Sequence, residues 1–190
     1  MVQLRKLVYG TGYGLLAYII GIGITAALAA GKVAQFLRGT GLNFGSILRQ
    51  ANQTPEAWQL IGWIFYTEHF FNIKIETAGG VNTFSLREFP VWDPILFVIP
   101  VVSILLFGFI SVYRDNDKNN SSIVLRSLGF TTSYTILGFV GIYLTSFGII
   151  GVFVYPDTGD IPILIGYSLI LSAVGGGIAS LTGSSSSANN

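Results

Sequence analysis

SLGFTTSYTILGFVGIYLTSFGIIGVFVYP, residues Ser127 to Pro156, runs for 30 residues without a charged side chain. A helix crosses a hydrocarbon core of about 30 Å with about 20 apolar residues, so this stretch predicts a membrane span over 127–156. Working outward, three further charge-free windows appear. Leu7 to Gly31 holds 25 residues, Pro94 to Tyr113 holds 20, and the chain from Ile161 onward stays apolar to about Leu181. They predict spans over 7–31, 94–113 and 161–182. A transmembrane barrel would alternate in polarity in strands of about 10 residues, and runs such as Ile95-Leu96-Phe97-Val98-Ile99 do not alternate. The expected fold class is an all-α membrane protein of four transmembrane helices. Between the first two spans lies an outer segment, 32–93, with an interfacial helix and a β-hairpin.

Composition agrees. Of 190 residues, 51% are hydrophobic and 10% charged, against about 25% charged in soluble domains, and mean hydropathy is +0.65. These values exclude a soluble enzyme and a disordered chain, and the absence of cysteine excludes a disulfide-stapled module. A net charge of +1 offers nucleic acid no electrostatic footprint. Arg5 and Lys6 before an apolar run, with Ala27-Leu28-Ala29 after it, also suit a signal peptide. The run is longer than the usual 7–15 residue signal core, which favours a retained helix.

Lys and Arg excess marks the cytoplasmic side. Arg5 and Lys6 precede the first span, and Arg114, Lys118 and Arg126 fall in the 114–126 loop, whereas Asp157-Thr158-Gly159-Asp160 has no basic residue. A cell-membrane, multi-pass protein with both termini cytoplasmic is expected. The tail 183–190, rich in Ser and Asn, is expected to be disordered.

Helices in lipid associate through close approach at small residues. Gly10, Gly14, Ala17 and Gly21 share one face of the first span, and Gly138, Gly141 and Gly148 mark the third, while Ala173, Gly177 and Ser180 mark the fourth. The second span has no such stripe and is expected to lie peripherally, with a kink at Pro100. Thr131, Tyr134 and Thr145 share the glycine face of the third span and are candidates for a polar path. No ionisable residue falls inside the four windows, so proton-coupled chemistry at depth has no evident carrier.

In the outer segment, Thr54-Pro55-Glu56 is a helix-start signal, and the uncharged run after it is too short to span. A helix over about 55–71 is expected, lying on or dipping into the outer leaflet, where aromatics concentrate, or packed on the bundle's outer mouth. Ile73-Lys74-Ile75-Glu76-Thr77 and Val81-Asn82-Thr83-Phe84-Ser85-Leu86, joined by Gly79-Gly80, predict a hairpin over about 73–86. Trp58, Trp63, Tyr66, Glu68, His69 and Phe70 form the candidate interaction surface of this aromatic cap.

The run Gly62-Trp63-Ile64-Phe65-Tyr66-Thr67-Glu68-His69-Phe70-Phe71, set after a glycine-rich first span and before three more, resembles a family of small haloarchaeal membrane proteins of unknown function. That resemblance implies four spans and a salt-loving archaeal source, and supplies no catalytic residues.

His69 is the only histidine. Its neighbour Glu68 projects in another direction in either a helix or a strand, so an orienting carboxylate would have to be Glu76, Glu88 or Asp93. One histidine and no cysteine argue against a zinc site. Neither a cofactor nor a metal is expected. The leading functional expectation is a non-enzymatic integral membrane protein whose outer cap binds a partner or closes the bundle. A small transporter or channel component for a neutral solute or ion is the alternative, and a membrane enzyme using His69 is the weakest. Expected partners are the lipid bilayer and a membrane protein or second copy, with no nucleic acid.

Overall fold

The computed structural model describes residues 2–38, 55–88, 91–114, 119–149 and 151–184. In chain order the elements are α1 (Val2–Arg38), α2 (Ala57–Glu68), β1 (Ile73–Thr77), β2 (Gly80–Phe84), α3 (Val98–Tyr113), α4 (Asn120–Thr145), β3 (Phe147–Ile149), β4 (Val152–Pro156) and α5 (Ile161–Ser184). Short 3-10 turns at Pro94–Phe97 and Thr158–Asp160 lead into α3 and α5. Four helical stretches are long and apolar enough to cross a membrane: Gln3–Arg38, Pro94–Tyr113, Asn120–Thr145 and Thr158–Thr182.

Two expectations are corrected. The chain is not all-α, because four strands form one sheet in the order β2-β1-β4-β3. The 127–156 window is not one helix either. Its helix starts earlier, at Asn120, and stops at Thr145, after which β3 and β4 form a hairpin through Gly151 at φ +80°. The start is set by Asn119, whose Oδ1 accepts from the Ser122 amide at 2.8 Å, as a good N-cap does. Absence of charge measures apolarity, and a short apolar hairpin is as free of charge as a span.

The described chain divides into two compact units. The first comprises the described residues of Met1–Gly21, Pro100–Gly138 and Pro162–Asn190. Here helix backbones touch. A Cβ added at Gly10 would sit 2.1 Å from the Arg126 carbonyl oxygen, and one at Gly129 would sit 2.2 Å from that of Leu7. Ser133 Oγ donates to the Thr11 carbonyl at 2.9 Å across the same α1–α4 crossing. A second crossing joins α3 to α5: a Cβ at Gly108 would meet the Ser172 carbonyl at 2.7 Å, and one at Gly175 the Leu105 carbonyl at 2.3 Å. The second span thus packs closely on α5 within this unit. A single glycine against the backbone of the other helix suffices for close approach, without a stripe. Pro100 lies in the first turn of α3, where a missing N–H is tolerated.

The first unit also holds a buried cation. Arg126 lies inside α4, so this span is not free of ionisable residues. Its guanidinium donates to the Ser111 carbonyl in the last turn of α3 and stands 5.5 Å from the Tyr9 ring centre. A cation suits the negative end of a helix.

The second unit comprises the described residues of Ile22–Ile99 and Phe139–Ile161. Its core contains Ala29 and Val33 of α1, Leu60, Trp63 and Ile64 of α2, Ile73 and Ile75 of β1, and Val154 of β4. Thus α1 runs unbroken through Ala27-Leu28-Ala29 and packs Ala29 into this core. β1 is central, pairing with β2 in the register Ile75↔Asn82 and with β4 in the register Ile75↔Val154. The buried alternation of Ile73 and Ile75 faces the core, as period-2 patterning requires. Corner contacts fix the sheet: the Asn72 amide donates to Asp160 Oδ2 at 2.9 Å, and Lys74 pairs with Asp157 at 2.9 Å. Asp157 is thereby held below its usual carboxylate range by Lys74 and by the Gly159 amide, which outweigh burial, the largest opposing influence.

Candidate functional site

The chemistry-bearing residues gather around α2. This helix runs Ala57–Glu68, shorter than the expected 55–71, and its N-cap is Glu56, while Thr54 lies outside the described residues. The Glu56 amide donates to Gln59 Oε1 at 2.8 Å, one half of a capping box. Every residue from Gly62 to Glu68 is buried. From Gly62 onward α2 is therefore enclosed in the second unit, whereas Trp58 near its start is 51% exposed.

Its contacts with α4 are specific. The last carbonyls of a helix have no partner within it. Trp63 Nε1 donates to the Thr145 carbonyl at 2.9 Å, and Gln59 Nε2 to the Ser146 carbonyl at 3.3 Å. The Gln59 amide thus serves two helix ends, its oxygen the start of α2 and its nitrogen the end of α4. Gly62 permits the approach, since a Cβ there would lie 2.2 Å from Thr145 Cγ2.

Toward α1, Thr25 Oγ1 lies 2.9 and 3.0 Å from the two carboxyl oxygens of Glu68 and donates to that group. Thr25, Glu68 and His69 are fully buried. Desolvation raises the Glu68 carboxyl to about 9 against the smaller opposing effect of the Thr25 hydrogen bond, so it is a neutral acid at pH 7. His69 Nδ1 lies 2.7 Å from the Phe65 carbonyl, and because that oxygen can only accept, Nδ1 carries the proton. Burial lowers His69 to about 4, the Phe65 bond opposing it. The ring stands edge-on to Phe65 at 4.6 Å between centres. Glu68 and His69 therefore turn to different partners, as their adjacency requires. Of the other candidate acids, Asp93 pairs with Lys32 at 3.0 Å and Glu76 accepts from Tyr155 OH at 3.3 Å; the Glu88 side chain lies outside the described set.

Residues 3–183 match a family of unknown function, DUF7978. The chain belongs to that family. It has no match among curated proteins or solved structures.

For this DUF7978 chain, the six candidate cap residues separate into two groups. Trp63, Tyr66, Glu68 and His69 are interior, whereas Trp58 is 51% exposed and Phe70 43% exposed. Phe70 has φ +69°, an uncommon conformation for a residue with a side chain. Its ring stacks on Phe97 at 5.2 Å, and Arg87 stands 5.3 and 4.8 Å from the two ring centres.

The polar-path residues all lie on α4. Thr131 and Tyr134 belong to the first unit and Thr145 to the second. Tyr134 is enclosed by Tyr18 at 5.3 Å and Phe130 at 5.9 Å. The Thr145 hydroxyl bonds back to the Gly141 carbonyl at 2.9 Å. Of the packing glycines, Gly10 and Gly14 make backbone contacts, and Gly138 meets only the flexible end of Leu164. Gly21 is buried in α1, and Gly141 lies in α4. Gly148 lies in β3 against the Phe153 ring, and Gly177 faces open space. Gly108, Gly129 and Gly175, which sequence spacing did not single out, make close approaches instead. Among the described residues no group of His, Cys, Asp and Glu could hold a metal ion.

Proposed function

We propose that this protein is a non-enzymatic integral membrane protein whose outer segment closes over the outer ends of α1 and α4. One observation carries the reading: α2, buried from Gly62 to Glu68, uses Trp63 and Gln59 to satisfy the terminal carbonyls of α4. A surface kept for a partner would leave such groups accessible. Both termini are placed in the cytoplasm, because basic residues flank α1 and the α3–α4 connection. The likeness of Gly62–Phe71 to a haloarchaeal family supports an archaeal source.

The cysteine-free sequence makes the test direct. In intact cells a membrane-impermeant maleimide should label Trp58→Cys rapidly and leave Tyr66→Cys protected. Equal labelling of both would sink closure, and labelling of Trp58→Cys only after lysis would reverse the orientation.

A second reading, transport of an ion, is favoured by Glu68 alone, a buried acid bonded to Thr25 of the α1 span. Ionisable groups buried beside spans commonly mark pathways. In reconstituted vesicles this reading requires a cation or proton flux that Glu68→Gln abolishes.

A further inference from the structure

At the other end of α1, within the first unit, an open groove of about 300 Å³ is lined by Val8, Tyr9, Gly12, Tyr13, Leu16 and Arg114. Its floor is apolar and its head is cationic. Arg114 lines it directly, Arg5 Nη2 donates to Tyr9 OH at 3.2 Å, and Arg126 stands 5.5 Å from the centre of the same ring. By sequence this unit carries Arg5, Lys6, Arg114, Lys118 and Arg126 against Asp115 and Asp117, and residues 115–118 lie outside the described residues. From Val8 to Leu16 the groove extends about 12 Å along the helix, close to the depth of one leaflet's hydrocarbon.

We propose that this groove binds an anionic phospholipid, with one acyl chain along Val8, Gly12 and Leu16 and its phosphate held by Arg114 and Arg5. The inference rests on the spanning of α1 and α3 proposed above. Charge complementarity selects the occupant. Guanidinium groups pair with phosphate in a forked geometry, and basic pockets between spans on the cytoplasmic side recognise anionic headgroups. A free phosphate would use the arginines and leave the apolar floor without a role. A neutral lipid would use the floor and make no charge pair with Arg114.

Gly12 supplies a clean variant, since a Cβ there meets nothing within 4 Å. Gly12→Leu therefore fills the groove without disturbing a helix contact. The full chain, purified in mild detergent, would be analysed by native mass spectrometry with phosphatidylglycerol, phosphatidylcholine or inorganic phosphate. Phosphatidylglycerol should be retained about tenfold more strongly than phosphatidylcholine, and Arg5→Gln with Arg114→Gln should remove that preference. Gly12→Leu should lower retention of phosphatidylglycerol. Equal retention of the two lipids, displacement by inorganic phosphate, or full retention in Gly12→Leu would each overturn the site. Carbonate washing of membranes separates the two levels of inference. A chain that washes off loses the spanning reading and the lipid site together, whereas one that stays without lipid preference loses only the lipid site.

Discussion

The Trp63 indole donates its only N–H to the carbonyl oxygen of Thr145, 2.9 Å away, where α4 has run out of its own donors. The bond joins a helix outside the four long apolar stretches to the end of one inside them. Trp63→Phe keeps most of the ring and removes the donor, leaving a buried carbonyl unpaired. A loss of about 1–3 kcal/mol is expected, read as a lowered melting temperature in detergent. Trp58→Phe, at a half-exposed site on the same helix, should change it by no more than about 0.5 kcal/mol.

Backbone contact in the first unit makes a second prediction. Gly129→Ala would place a methyl group 2.2 Å from the Leu7 carbonyl oxygen, and a shift of backbone is the only relief. It should destabilise by about 1–3 kcal/mol, as overpacking does. Gly177→Ala, facing open space, should be neutral or slightly stabilising. Denaturation of the two variants side by side would show whether contact or composition governs.

Much of the architecture was legible in the sequence, because spanning lipid demands long apolar runs and those are visible one residue at a time. The error at Ser127–Pro156 shows the limit. A window bounded by charges excluded Arg126, which α4 buries, and included Phe147–Ile149 and Val152–Pro156, which pair with each other, the latter also with β1. The cues were present: Asn119-Asn120-Ser121-Ser122 as a cap, and Gly148 and Gly151 beside β-branched residues. Charge spacing outweighed them. The site was less legible. Nothing local distinguishes Glu68 from an exposed acid, since its hydrogen-bond partner Thr25 is 43 residues away.

Glu68 and His69 shape pH dependence in opposite senses. Glu68 titrates near 4.5 when unfolded and about 9 when folded, so between these values the folded state holds more protons and stability falls as pH rises. His69 titrates near 6.5 unfolded and about 4 folded. Its contribution is complete above 6.5 and is lost as pH falls toward 4. Glu68→Gln should flatten the alkaline limb of a stability profile, and His69→Asn the acid limb. Unfolding midpoints measured from pH 4 to 9 would check both; a Glu68→Gln profile parallel to the parent's would refute the assignment.

The Thr131 hydroxyl is buried and has no hydrogen-bond partner among the described residues. Thr131→Val keeps the shape and removes the orphaned group, so it should be neutral or stabilise by about 1 kcal/mol. If that hydroxyl lined a conducting path, the same substitution would instead impair flux in reconstituted vesicles.

The order of the sheet has a bearing on biosynthesis. β1 and β2 leave the ribosome as a hairpin, and an isolated hairpin is marginally stable. Its second neighbour, β4, arrives only after residues 85–151 have been made, with α3 and α4 among them. The hairpin must therefore wait, half-paired, while two later helices find their places, and a chain halted before Val152 would present an open β1 edge to chaperones and proteases.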